Sequence, residues 1–297
     1  MELGYNAGLI GLLTPDNFKD FQLLDTGEGL RLERWGEIIL VRPDPQVIWQ
    51  KHLSPNEWDK AHAVFVTEKK RWEIRKKFEQ PWPVKYQDTK LLARLTPFKH
   101  TGIFAEQASN WKWMLDRLSG KFASPAKILN LFAYTGAATV ILTKMGHFVT
   151  HVDASKPAIG LAKENQKVNN LPENSIRWIL DDAAKFVKRE LKRGVTYDGI
   201  LMDPPAFGHS PQGRVWKFNQ HLPGLLADCV ALLSQKTRFL VVNGYATNSS
   251  ALALKNVLED AIAVRRGQIE CGELCLAQRD GRKISTGIFA RWSPINS

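Results

Sequence analysis

Between residues 127 and 242 the sequence alternates short apolar runs with longer segments of helical spacing, and this rhythm restricts the fold more than any other feature. The apolar runs cover 127–132, 148–152, 176–180, 197–202 and 238–242. At four to eight residues such runs are read as strands rather than helices. Helical patterns over 136–145, 156–169, 183–192 and 215–234 separate them. Parallel strands need a crossover between them, and crossover helices cover both faces of the sheet, so the alternation predicts a parallel α/β layer fold. Residues 269–276 and 286–292 then read as two further strands, with Arg279-Asp-Gly-Arg282 between them as a hairpin signal.

The chain ahead of residue 85 is patterned differently. Residues 29–34 and 37–42 flank Trp35-Gly36 and read as a hairpin, and Pro43, Pro45 and Pro55 interrupt the stretch beyond it. Ser54-Pro-Asn-Glu57 has the spacing of a capping box and predicts a short helix through Phe65. Gln80-Pro-Trp-Pro83 reads as a linker, and a helical pattern starts near Glu106 and runs to Leu118. The expected organisation is a small β-rich domain over 1–85 and an α/β domain over 86–297.

Several classes are excluded or made unattractive. Apolar content of 44% with 24% charged residues is that of an ordinary soluble chain, and no run approaches the ~18 apolar residues of a membrane span. The start, MELGYNAGLIGLLTPDNF, has neither a basic n-region nor a cleavage site, so no signal peptide and a cytoplasmic setting are expected, without a membrane partner. Three cysteines, Cys229, Cys271 and Cys275, make no disulfide framework and lack the partners zinc needs, so no metal site is expected. A formal charge of +11 favours anionic partners, nucleic acid first. The densest basic run, Lys69-Lys-Arg-Trp-Glu-Ile-Arg-Lys-Lys77, reads either as a phosphate-tracking strip with Trp72 as a stacking ring or as a solvated helix face. Nothing in the sequence specifies an oligomeric state.

Ligands of open α/β sheets lie beyond the carboxyl ends of the strands, so the residues after each strand carry the chemistry. The first is followed by Asn130-Leu-Phe-Ala-Tyr-Thr-Gly136, where one glycine at a strand-to-helix turn lets backbone amides approach a ligand. This is neither a dinucleotide fingerprint nor a P-loop, and suits a ligand without pyrophosphate. The second strand ends in Val152-Asp153-Ala-Ser155; Asp153 lies where an acidic residue meets ribose hydroxyls in nucleoside-binding βαβ units, and it also suits a helix N-cap. After the third come Asp181 and Asp182, one to accept an adenine amino hydrogen, preferentially Asp182, and the other to cap the next helix. The fourth ends in Asp203-Pro-Pro-Ala-Phe207, a stiff acidic corner with an aromatic.

In this order NLFAYTGAAT, HVDAS, ILDDAAKFV and YDGILMDPPAFG resemble the class I S-adenosylmethionine-dependent methyltransferases, and more narrowly the bacterial large-subunit ribosomal RNA methyltransferases acting on cytosine C5 or guanine N7. The resemblance covers about residues 95–297 and includes Phe98-Lys-His-Thr-Gly-Ile-Phe-Ala-Glu-Gln107, similar to the segment covering the methionine end of the cofactor. It implies a Rossmann-like, doubly wound, seven-stranded sheet, S-adenosylmethionine as cofactor and RNA, ribosomal in the first instance, as partner. The cofactor residues it implies are Gln107, the loop Phe132, Ala133, Tyr134, Thr135 and Gly136, then Asp153, Ala154 and Ser155, and Asp181 and Asp182. Asp203 and the Pro204 carbonyl would accept hydrogen bonds from the target base, and Phe207 would stack on it. The β-rich N-terminal region is similar to the substrate-recognition modules of such enzymes.

One departure narrows the chemistry. The C5 enzymes attack with a cysteine placed after the fifth strand, and here that strand runs Phe239-Leu-Val-Val-Asn-Gly-Tyr245 with none. Without a nucleophile a cytosine C5 is too poor a carbon, so a base nitrogen is the expected acceptor, and Asn243 reads equally as a group that helps hold it or as a strand-end cap. A protein side chain or small molecule as acceptor, and a non-catalytic RNA-binding assembly factor on the same fold, are the rival readings.

Overall fold

The structure, a computed structural model, describes residues 10–119, 124–209 and 215–295. β1 (Gly11–Leu13) precedes β2 (Phe21–Gly27), β3 (Leu30–Trp35), β4 (Ile38–Pro43), the single turn α1 (Pro55–Trp58), β5 (Ala63–Val66) and β6 (Arg71–Ile74). Strands β2 to β6 form one five-stranded sheet in chain order. A separate hairpin, β7 (Trp82–Tyr86) and β8 (Thr89–Ala93), leads to α2 (Ala108–Leu118). Next in the chain are β9 (Lys127–Leu131), α3 (Ala137–Lys144), β10 (Phe148–Asp153), α4 (Lys156–Val168), β11 (Ile176–Leu180), α5 (Ala183–Lys192) and β12 (Gly199–Met202). A short hairpin of β13 (Phe207–His209) and β14 (Val215–Lys217) opens into α6 (Phe218–Ala231), and β15 (Phe239–Gly244), α7 (Ala251–Ile262), β16 (Gln268–Ala277) and β17 (Lys283–Ser293) complete the chain.

The large sheet has the order β1-β16-β17-β15-β12-β9-β10-β11. Seven of its strands are those read from the sequence; the eighth, β1, pairs parallel with β16 at the edge. Gly272 permits this addition, because a Cβ there would lie 1.8 Å from the Gly11 carbonyl oxygen. Side chains of the central strands alternate between two cores, as a pleat of period two requires. Ile128, Leu201, Phe239 and Val241 face α2, α3 and the N-terminal residues Trp35 and Tyr86. Leu129, Ile200, Met202, Leu240 and Val242 face α5, α6 and α7.

Several expectations change. Phe65 belongs to β5 rather than to a helix, since Ala63–Val66 pairs with Arg71–Ile74 and the helix stops after one turn. The basic run 69–77 therefore lies on a hairpin, not a helix, and Trp72 is spent on the fold: its indole N–H donates to the carbonyls of Thr96 and Phe98. Gln80–Pro83 is no linker, because Trp82 begins β7, is buried, and donates to the Trp35 carbonyl at 3.0 Å. Trp82, Val84 and Tyr86 alternate inward along β7, so the expected boundary between 85 and 86 falls inside a strand. Helix 215–234 is shorter than its pattern, starting at Phe218 because Val215–Lys217 pairs with Phe207–His209.

Candidate active site

Strands β10 and β11 are laid down to one side of β9, and β12 and β15 to the other, so the order of strand addition reverses between the parallel neighbours β9 and β12. A cavity of about 800 Å³ opens beyond the carboxyl ends of these strands.

At one end it is walled by strand-to-helix turns. In the turn after β9, Phe132, Tyr134 and Gly136 all have positive φ, at 55°, 50° and 75°. The Ala133 N–H donates to the Val152 carbonyl and the Gly136 N–H to the Ala133 carbonyl, which holds this tight path. A Cβ on Gly136 would lie 2.9 Å from that of Ala162, so the turn fits against α4 only with glycine. The Thr135 hydroxyl donates to the Gly102 carbonyl at 2.5 Å, tying the turn to the segment before α2. Asp153 accepts from the Tyr134 N–H at Oδ2 and the Ser155 N–H at Oδ1, both at 2.8 Å. Burial pushes its carboxyl up despite these bonds. Each of its oxygens keeps a second lone pair, the acceptor set that a pair of ribose hydroxyls requires. Ser155 caps α4 by accepting from Ala158. Asp181 accepts from the Asp182 N–H and pairs with Arg189, while Asp182 caps α5 through the Lys185 N–H at 2.9 Å. The cap thus falls to the residue favoured for adenine, and Asp181 is the one tied to an arginine.

The other end is assembled from distant segments: Glu106 before α2, Asp203, Pro204 and Pro205 after β12, Trp216 on β14, and Tyr245 after β15. Asp203 Oδ1 is buried with no hydrogen-bond partner, and Oδ2 is 3.5 Å from the Gln107 amide nitrogen. Burial first and the Glu106 charge second push the Asp203 carboxyl up to about 8, against the pull of Gln107. Burial likewise raises Glu106, with Arg31 and Arg42 working against it. Gln107 also donates to the Tyr245 hydroxyl at 3.0 Å and accepts from Asn110 at 3.1 Å. Asn110 in turn donates to Asn243 and accepts from Arg291, which pairs with Glu270. This chain of amides fixes the direction of the Gln107 N–H groups from behind. The Trp216 indole donates to the Pro205 carbonyl at 2.7 Å, and its ring lies 5.4 Å from that of Phe132.

Of the residues singled out in the sequence, Phe132, Tyr134, Asp153, Ala154, Ser155, Asp181, Asp182, Asp203 and Pro204 line this one cavity. Ala133, Thr135 and Gly136 shape the turn behind it, and Gln107 stands behind Asp203. Asn243 is buried and held by Asn110, so it is a brace and not a base contact. Phe207 is 55% exposed, and it is Trp216, from the strand paired with it, that lines the cavity. None of the three cysteines lines it; all are buried and burial raises every thiol, Cys275 to about 11. Sequence reasoning missed Glu106, Trp216, Tyr245, Arg31 and Lys99. Tyr245 carried a signal, being the residue after the fifth strand of the alternation, and Glu106 adjoins Gln107.

No family model matches the sequence. Over 108 residues, 36% of this chain, it is 34% identical to ribosomal RNA large subunit methyltransferase I of Pseudoalteromonas translucida, covering 26% of that protein. Over 129 residues, 43% of this chain, it is 33% identical to ribosomal RNA large subunit methyltransferase K/L of Buchnera aphidicola, covering 17% of it. The match thus spans well under a third of the length of these curated relatives. A crystal structure of a SAM-dependent methyltransferase from Agrobacterium tumefaciens is 38% identical, with a TM-score of 0.92 over 97% of this chain and 94% of that one. A Streptococcus mutans structure at 17% identity shares the fold, with a TM-score of 0.71 over 94% of this chain and 76% of that one.

Proposed function

The chain belongs to the S-adenosylmethionine-dependent methyltransferases, and on that premise we propose that it methylates an amino nitrogen of a ribosomal RNA base. The observation that carries this reading is Asp203: a carboxyl at the strand end facing the cavity, with Oδ1 buried and unpartnered and its proton affinity raised. Leaving a buried polar atom unsatisfied costs about 1–3 kcal/mol, which a ligand N–H would recover. The names of the curated relatives support ribosomal RNA as the substrate class.

The cofactor fits the residues present. Asp153 offers acceptors to a ribose, Asp181 and Asp182 offer acceptors to an adenine amino group, and the glycine turn leaves room beside them. When bound, the cofactor would supply an electrophilic methyl on its sulfonium, whose methyl–sulfur bond breaks as the methyl is taken, leaving S-adenosylhomocysteine. Asp203 accepts the N–H of the base amine and turns its lone pair toward that methyl. As the N–C bond forms, the amine proton passes to Asp203, whose proton affinity near neutrality suits a general base better than that of an ordinary carboxylate. Gln107 steadies Asp203, and the rings of Trp216 and Phe132 cover the apolar faces of the site. A base inside a helix cannot reach this pocket, so the acceptor is single-stranded or flipped out. With every thiol buried and outside the cavity, C5 attack has no nucleophile.

The test is transfer of tritium from methyl-labelled cofactor to large-subunit ribosomal RNA, followed by nuclease and protease digestion. Label released as a modified nucleoside is the expected result. Label only in protein or in a small molecule, or none above background, overturns the reading.

A further inference from the structure

The cavity has a third wall, supplied by the N-terminal sheet. Arg31, Asp44 and Gln46 reach it from the β3–β4 side, next to Lys99 and His100 of the segment leading to α2, which is tied to that side through Pro43 and Arg42. Three cations, Arg31, Arg42 and Lys99, meet three carboxylates there: Glu33, Asp44 and, near enough to Arg31 and Arg42 to feel their charge, Glu106. Glu33 is used up: it takes the Trp35 indole at 2.9 Å and the Arg42 guanidinium at 2.8 and 2.9 Å, and stands 3.1 Å from Arg31 Nε. These charges hold it down to about 2. Arg31 is left poorly served, since Nε is buried without a hydrogen bond and Nη1 is 3.7 Å from Asp44, beyond hydrogen-bond reach. Lys99 gives one N–H to the Pro43 carbonyl at 3.2 Å, which leaves two donors. His100 Nδ1 is buried without a partner. Burial first and the neighbouring cations second depress both Lys99 and His100.

We propose that Arg31, Lys99 and His100 form an oxyanion subsite that takes a phosphate of the acceptor nucleotide while its base lies against Asp203. This rests on the nucleic-acid reading above and adds to it a role for the N-terminal sheet: it holds the nucleotide by its backbone, inside the reaction cavity rather than on an outer surface. Bidentate or multiple N–H donors matched to a planar or tetrahedral oxyanion are what a guanidinium and an ammonium supply.

The experiment titrates the four nucleoside 5′-monophosphates, the corresponding nucleosides and inorganic phosphate into the full chain saturated with S-adenosylhomocysteine, by calorimetry. At least one monophosphate is expected to bind about tenfold tighter than its nucleoside, the size of one hydrogen bond to a charged group. In Lys99→Gln that preference should shrink to about threefold or less, with Tm and S-adenosylhomocysteine affinity held. Arg31→Gln should act in the same direction, but it also braces Glu33, so Lys99→Gln is the deciding variant. A tenfold loss of S-adenosylhomocysteine affinity in Lys99→Gln would assign the corner to the cofactor carboxylate and overturn the proposal. So would a native protein that binds nucleosides and monophosphates alike. If the phosphate preference holds while no label enters RNA, the subsite stands and the ribosomal RNA reading falls; label in RNA with no phosphate preference gives the reverse.

Discussion

The two ends of the cavity hold carboxylates in opposite states. Asp153, Asp181 and Asp182 each accept at least one backbone N–H from their own turn, and Asp153 a second from the turn after β9. Asp203 has one unpartnered oxygen and a single long contact, and faces the Glu106 charge. The first three are finished by local geometry and present spare lone pairs, which is enough to bind. The fourth is left unfinished and its ionisation is costly, which suits a group meant to exchange a proton. Burial raises both Asp153 and Asp203, and what separates them is that Asp153 accepts two backbone N–H groups while Asp203 Oδ1 accepts none.

Four substitutions probe that contrast, in descending order of effect. Asp203→Asn keeps the shape and removes the proton acceptor; methyl transfer should fall by about 10³-fold, as for loss of a general base. In the native enzyme kcat/KM should rise with pH and level off above about 8, the region to which the Asp203 carboxyl is raised. The same variant should gain stability. A carboxyl whose folded value is raised above its unfolded one favours folding below the unfolded value and loses that contribution as pH rises through about 8. The Tm gain of Asp203→Asn over the native chain should therefore be absent near pH 4 and grow to a plateau past pH 8. A flat difference across that range would remove the claim that Asp203 is strained by burial.

Asp153→Ala acts on the finished end. S-adenosylhomocysteine affinity should drop by about 100-fold, two charge-assisted hydrogen bonds at the low end of their range, while kcat at saturating cofactor changes far less. An equal fall in kcat would erase the division between the two ends. Gly136→Ala should cost about 1–3 kcal/mol in urea unfolding, because φ of 75° and the 2.9 Å approach to Ala162 both resist a Cβ. Smallest of all, Trp216→Phe keeps a ring and loses the hydrogen bond to the Pro205 carbonyl; KM for RNA should rise about fivefold, with cofactor affinity unmoved.

At the end walled by the strand-to-helix turns, most of the cavity lining was legible from the residues. Asp153 and Asp182 each sit in a unit of strand, turn and helix, where a few neighbours fix position, and the strands fell within a few residues of their apolar runs. At the other end only Asp203 and Pro204 were legible. Glu106, Trp216 and Tyr245 come from segments up to 139 positions apart, and none has a distinctive spacing with Asp203. Phe207 is largely exposed and does not line the cavity, and the hairpin β13–β14 brings Trp216 to the wall, a residue with no signal in the sequence. Charge density misled at 69–77, where period-two pairing to β5 overrode a helical reading.

The order of the strands, the parallel sheet and the acidic strand ends are written in the chain itself, because hydrophobic period and turn chemistry act over a handful of residues. Three further properties arise only in the folded molecule: which carboxylate is left desolvated, that β1 joins the large sheet, and that Arg31 and Lys99 share a cavity with Asp203. Desolvation and charge pairing depend on what packs across space, and no run of neighbouring residues encodes that.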